Sequence, residues 1–247
     1  MWIWCRIILG YSKNKMVKKT LILFFGASGG IGRKLLDVLD KRYKIICFYN
    51  KNKFVSKGKK KSKKINFSNN YEIDKISSLT GLKNYKLVIL NFASIKIDKL
   101  SFHVKEDEFN DTMQVNVNAF LKIINKIIPY MMKNNWGRII NISSTGGITG
   151  DKGTILYSMS KNAAQSMMQV MSREYGKFNI TFNTLKLGNF NYGLFKKLKK
   201  DYQKKLLAKV PSNKTGDIKN ISNAIDFLIK SDYVNGSSIN IDGGLEN

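Results

Sequence analysis

The stretch that most constrains the fold is Leu21-Ile-Leu-Phe-Phe25, which runs straight into Gly26-Ala-Ser-Gly-Gly30-Ile-Gly32 and then into the spaced apolar residues Leu35, Leu36, Val38 and Leu39. A continuous apolar run bounded by glycine reads as a strand buried on both faces, and the spacing after it reads as a helix. The turn between them is rich in glycine. Glycines let the backbone approach a pyrophosphate, and a helix N-terminus offers free N–H donors and a positive dipole end to hold it.

The alternation continues down the chain. Lys44–Tyr49 is expected as a second strand, 64–67 as a short third, Lys86–Asn91 as a fourth, 136–143 as a fifth, 178–185 as a sixth and 237–241 as the last. Helices are expected from Phe109 to Ile128, ending near Pro129, and from Tyr157 to about Gly176. Strands alternating with helices predict an α/β fold. The expected form is a Rossmann-type doubly wound parallel sheet of about seven strands, with helices on both faces, in a single domain. The length of 247 residues suits one such domain.

Residues 1–15 read as an N-terminal extension outside the domain of 16–247, with Met16 a natural start; a short membrane-surface or partner-binding segment is the rival reading. Their apolar part is too short to span a bilayer and lacks a basic n-region and a small-residue cleavage site. Residues 189–210 hold a lysine-rich, helical stretch that suits either a lid over a substrate cleft or a surface helix.

A net charge of +26, mostly lysine, suits a polyanion partner or a lysine-biased composition filling solvent-facing sites. No aromatic–basic motif for nucleic acid accompanies it, so no specific nucleic-acid partner is expected. The lysines of 57–64 read as a solvated loop. With only Cys5, Cys47 and His103, the chain has neither a disulfide framework nor metal-ligand spacing, which points to a reducing cytoplasmic setting and no metal. His103 reads as a surface or helix-start residue, and Met159, Met167, Met168 and Met171 as core or subunit-interface packing.

Near the end of the second strand of a dinucleotide fold, an acidic group bonds the ribose 2'-OH and repels a 2'-phosphate. Tyr49, Asn50, Lys51 and Lys53 stand there instead, which favours NADP(H) over NAD(H). Further on, Tyr157-Ser158-Met159-Ser160-Lys161 places a phenol and an ammonium four residues apart, on one helical face. An ammonium beside a phenol favours the phenolate and lowers its pKa, making Tyr157 a candidate acid/base near neutral pH. Ser144 falls at the C-terminal end of the fifth strand, where open α/β sheets bind ligands, and Asn116 lies within the preceding helix.

Taken in order, Gly26-x-x-x-Gly30-x-Gly32, Asn91-x-Ala93, Asn116, Ser144, Tyr157-x-x-x-Lys161 and Asn240-Ile-Asp-Gly-Gly244 resemble the short-chain dehydrogenase/reductase family, from about Val17 to Gly244. The chain looks most similar to its bacterial 3-oxoacyl-[acyl-carrier-protein] reductases. The resemblance implies that Tyr157 exchanges the proton, that Lys161 bonds the nicotinamide ribose and lowers the tyrosine pKa, that Ser144 holds the substrate oxygen and that Asn116 anchors a water relay. It implies cofactor contacts at Gly26, Ser28, Gly30, Ile31, Gly32, Asn50, Lys51, Asn66, Phe67, Asn91, Ala93 and Gly188, besides Tyr157 and Lys161. Phe25, Phe92, Ser94 and Leu187 depart from the family pattern beside the cofactor.

The implied function is NADP(H)-dependent interconversion of a carbonyl and a secondary alcohol, with a 3-oxoacyl thioester on acyl carrier protein as first substrate. A sugar or surface-polysaccharide precursor and a non-catalytic cofactor-binding regulator are the alternatives. Arginines with which family members grip the acidic carrier would fall near Asn135 and Phe178, leaving Lys133, Arg138 and Lys177 to supply the field. A homotetramer or dimer is implied, with no stable membrane insertion.

Overall fold

The computed structural model describes residues 18–39, 41, 43–51, 60–79, 81–147 and 150–245; the expected extension at 1–15 lies outside them, as do Cys5 and Lys53. Seven strands form one parallel sheet: β1 (Thr20–Phe25), β2 (Lys44–Tyr49), β3 (Lys60–Lys64), β4 (Lys86–Asn91), β5 (Gly137–Ser144), β6 (Ile180–Leu187) and β7 (Ser238–Ile241). Their order across the sheet is β3-β2-β1-β4-β5-β6-β7, so the winding reverses between β1 and β4, the crevice where doubly wound sheets take ligands.

The apolar run in β1 is buried on both faces because successive side chains alternate across the sheet. Leu21, Leu23 and Phe25 join Ile123 and Ile127 of α4 (Ala119–Asn134) and Met168 and Met171 of α5 (Ile155–Tyr175) in one core. Ile22 and Phe24 join Leu35 and Leu36 of α1 (Gly30–Val38) and Ile221, Ile225 and Leu228 of α8 (Ile218–Lys230) in the other. Each fully buried large side chain contributes about 1.5–3 kcal/mol. Among the described residues, four shorter α-helices accompany these: α2 (Asn70–Asp74), α3 (Glu106–Met113), α6 (Gly193–Lys196) and α7 (Lys200–Leu207).

Three local expectations are corrected. The third strand is Lys60–Lys64 rather than 64–67, so the lysines there are not a loop: they pair with β2 from Ile45↔Lys60 to Tyr49↔Lys64. Pairing uses the backbone, and an outer strand whose Lys61, Lys63 and Lys64 face water resists further edge pairing. The helix expected to end near Pro129 runs on to Asn134 and stops where Asn135 adopts the left-handed conformation (φ 46°). Buried Ile128 and Met131 on either side of Pro129 offset its missing hydrogen bond. Upstream, the same helix is interrupted by a π-turn, Gln114–Asn118.

Gly32 marks the tightest approach of α1 to the turn before it. A Cβ there would lie 2.8 Å from the Gly26 carbonyl oxygen and 2.9 Å from that of Ala27. Gly32→Val should therefore destabilise the fold by about 1–3 kcal/mol. In thermal unfolding this is a fall of about 2–4 °C per kcal/mol for a chain of this size; an unchanged midpoint would contradict the packing described.

Candidate active site

The glycine turn is shaped by approaches that no side chain permits. Gly26 is left-handed (φ 76°), and a Cβ on it would lie 2.5 Å from the Ala93 nitrogen and 2.6 Å from the Phe92 carbonyl carbon, at the end of β4. A Cβ on Gly30 would lie 2.4 Å from the Gly193 Cα, so the start of α6 packs directly on this turn. Gly29 caps α1 with no side-chain acceptor, which leaves the first N–H groups of the helix free for an anion. A nicotinamide dinucleotide would fit this cradle: the backbone of Gly26–Gly32 could hold its pyrophosphate, and Asn50 and Asn66, whose side chains bond one another at 3.2 Å, could hold its adenosine end. Lys51 follows at the exposed end of β2, and Arg33 is tied to the rim by its Nε donating to the Ser28 carbonyl at 2.9 Å.

Not every residue expected at the cofactor presents its side chain there. Phe67 packs in the core against Phe25, with ring centroids 5.8 Å apart. Asn91 is turned inward, donating to Asn141 Oδ1 at 3.2 Å and accepting from the Ala93 N–H at 3.2 Å. Gly188 meets the chain's last strand: its N–H donates to the Ile241 carbonyl, and a Cβ would lie 2.6 Å from the Asp242 Cα. The atypical Phe25 is explained by a stack on Phe48 at 4.4 Å.

At the C-terminal end of β5, Ser144 lies beside the Tyr157 phenol and favours its phenolate. Lys161, one turn further along α5, is buried and donates from Nζ to the Ile142 carbonyl at 2.8 Å, with its ammonium 5.4 Å from the Tyr157 ring centroid. Gly147 packs against both, since a Cβ there would touch the Lys161 stem and the Tyr157 ring at 3.4 Å. Asn116, within the π-turn, accepts from the Ile95 N–H at 2.8 Å and donates from Nδ2 to the Ile95 carbonyl and to Ser160 Oγ, each at 2.9 Å. Ser160 Oγ in turn donates to the Tyr157 carbonyl at 2.8 Å. The structure thus brings Asn116, Ser144, Tyr157 and Lys161 together.

A model of the family described as short chain dehydrogenase matches residues 20–203. The chain belongs to that family. A 3-oxoacyl-[acyl-carrier-protein] reductase FabG of Rickettsia felis is 30% identical over 229 residues, 90% of this chain and 95% of that protein. One of the same name from Vibrio cholerae is 30% identical over 160 residues, 64% of this chain and 66% of that protein. Among solved structures, a variant of actinorhodin polyketide ketoreductase crystallised with NADPH superposes with a TM-score of 0.81 at 17% identity, covering 94% of this chain and all of that one. This short-chain dehydrogenase is accordingly an oxidoreductase of a carbonyl/alcohol pair. No helix among its described residues is long and apolar enough to cross a membrane.

The electrostatics differ from the sequence-based expectation at Tyr157. Burial pushes its phenol up from the ordinary value of 10.0; the neighbouring Ser144 acts the other way, and the Asp98 carboxylate adds to the rise. Lys161 does not reverse this, because its ammonium is directed at the Ile142 carbonyl and is itself brought down from 10.5 to about 8 by burial. Arg138 also departs from its expected place in a carrier-steering field. It is 2% exposed at the opposite end of β5, donating to the Gly137, Asn179 and Ile229 carbonyls, whereas Lys133 and Lys177 are exposed.

Sequence reasoning passed over three residues at the site. Ser160 joins Asn116 to the Tyr157 backbone, and its position between Tyr157 and Lys161 was its only sequence signal. Lys96 and Asp98, an ion pair at 3.1 Å, reach the tyrosine from the extended segment after β4, which no pattern marks.

The Lys161 value sets a testable pH window in the cofactor-free protein. Because its folded value lies below its unfolded one, the buried ammonium opposes folding below about pH 8, and that penalty disappears as pH rises from about 8 to 10.5. Wild type should gain thermal stability relative to Lys161→Met across that window; a constant difference in midpoint would refute the assignment.

Proposed function

We propose that the chain is an NADP(H)-dependent reductase of 3-oxoacyl thioesters carried on acyl carrier protein. One observation carries the reading: a phenol beside Ser144 and flanked by the buried Lys161 ammonium stands at the C-terminal end of β5, where the sheet opens beside the glycine cradle. The bound dinucleotide supplies the hydride, so the chain's own residues place the substrate and manage its proton. Ser144 donates to the substrate carbonyl oxygen and polarises it. Tyr157 delivers its proton to that oxygen as it becomes an alkoxide, and Lys161 supports the phenolate left behind. Asn116 pins the π-turn to Ile95 and to α5, and its placement suits a relay that returns a proton to the site.

NADP(H) is favoured by the absence of an acid after β2, where Asn50 and Lys51 stand, and by Arg33 on the cradle rim. The acyl thioester is favoured by the relatives named for that substrate. A polar substrate such as a sugar-ketone precursor is the second reading, favoured by the Lys96–Asp98 pair beside Tyr157 and by an Asp151 carboxylate that reaches Gly146 next to Ser144. Assembly as a homotetramer or dimer in the cytoplasm is part of the proposal; exposed Met159 and Val170 on α5 offer apolar surface for a second copy.

The proposal is tested by titrating purified protein with NADPH and NADH and then adding acetoacetyl thioester. NADPH should bind more tightly and be oxidised. Tyr157→Phe should bind NADPH as wild type does and lose at least about a hundredfold in kcat, the scale of a lost general acid. Near-normal turnover in that variant would reject Tyr157 as the acid, and tighter NADH binding would reverse the cofactor assignment.

A further inference from the structure

Two ammonium groups, not one, stand against the acid/base. Lys161 reaches the Tyr157 ring from the same helix, with Nζ 5.4 Å from the ring centroid. Lys96 reaches it from a separate element, the extended segment between β4 and α3, with Nζ 5.8 Å from the centroid. Both lie within the distance at which an aromatic face attracts a cation. Lys96 is held in place by Asp98, two residues along, through an ion pair of 3.1 Å. The segment bearing them is itself fixed, since Ile95 exchanges two hydrogen bonds with Asn116 and the Lys99 N–H donates to the Gly153 carbonyl in front of α5.

We propose that Lys96, oriented by Asp98, is a positioning residue that stabilises the Tyr157 phenolate and so sets the pH at which this site works. The inference rests on the assignment of Tyr157 as the acid/base. Transfer of the phenolic proton to a substrate oxygen leaves a phenolate, and a buried phenolate is unfavourable without a cation beside it. Lys161 has its ammonium committed to the Ile142 carbonyl, whereas Lys96 keeps 31% of its side chain accessible and its charge toward the ring. Asp98 has two opposed effects. It holds Lys96 over the phenol, yet its own negative charge disfavours the phenolate and adds to the rise in the Tyr157 pKa caused mainly by burial. The charged groups facing the tyrosine are therefore Lys161 from α5 and Lys96 and Asp98 from the segment after β4; β5 contributes uncharged Ser144, and the loop before α5 brings Asp151 to the far side of Gly146.

The sign of each substitution follows. Lys96→Met keeps most of the stem on the ring, removes the cation and leaves Asp98 unopposed, so phenolate formation moves to higher pH. Asp98→Asn removes the negative charge while its amide oxygen still accepts from the Lys96 ammonium, so phenolate formation moves to lower pH. In the double variant the shifts offset one another, and the non-additivity measures how far Asp98 acts through Lys96. Because the pair is partly exposed, each single shift is at least about half a pH unit rather than several.

The test uses the full chain bound to NADP+ and two readouts. In the first, tyrosine labelled with 13C at Cζ is titrated, the Tyr157 signal being identified by its loss in Tyr157→Phe. In the second, kcat for oxidation of a 3-hydroxybutyryl thioester is followed against pH, a direction that needs the phenolate as base and so rises with pH. Lys96→Met should move the 13C midpoint and the rising limb upward and lower kcat at pH 7 at least about threefold, matching half a pH unit; Asp98→Asn should do the reverse. A loss of thermal stability with midpoint, limb and kcat at pH 7 all unmoved would show a merely structural pair and overturn the proposal. If wild type oxidises no substrate but the 13C midpoint moves as stated, the functional reading fails while the placement of Lys96 stands.

Discussion

The approach of Gly26 to the end of β4 is the contact on which the site depends. A parallel sheet whose winding reverses between β1 and β4 leaves a crevice at the ends of those two strands, and a side chain at position 26 would fill the gap between them. With hydrogen in that place, the turn lies flat against Phe92 and Ala93, and α1 starts with its free N–H groups facing the crevice. Gly30 repeats the device one step out, where the start of α6 meets the turn at Gly193. The cradle is thus a set of backbone surfaces, held by two cores that grip β1 from opposite faces.

Around the tyrosine, three chain segments are joined by a short run of hydrogen bonds from Ile95 through Asn116 and Ser160 to the Tyr157 carbonyl. The π-turn is what allows it: an extra residue in the helical turn carries Asn116 toward both the segment after β4 and α5. The same run holds Lys96 and Asp98 at the phenol. Burial makes Tyr157 a poorer acid than a free phenol, and the neighbouring Ser144 acts against that rise. Lys161 is itself strained electrostatically, since the burial that brings its charge close also weakens it.

Much of this was legible in the residues. Strand β1, the glycine turn and α1 follow from local apolar patterning and from the absence of Cβ atoms, and Tyr157 and Lys161 share a face because a helix repeats near four residues. The errors have a common cause. The Lys60–Lys64 strand carries no apolar pattern, because an edge strand with exposed side chains is held by backbone pairing alone. The continuation of α4 past Pro129 depends on the burial of Ile128 and Met131, and Arg138 reads as a surface charge until the carbonyls that surround it are brought there by α8 and by Asn179.

The sequence by itself determined the alternation of strands and helices, the dinucleotide cradle and the family, since these rest on interactions between residues near in the chain or on ordered motifs. Only the tertiary structure decided the protonation chemistry. The shift of the Tyr157 pKa depends on how deeply the phenol is buried, on the neighbouring Ser144 and on Asp98, roughly sixty residues away in the chain. Charges act through space, and the distances that set their strength exist only once the chain has folded.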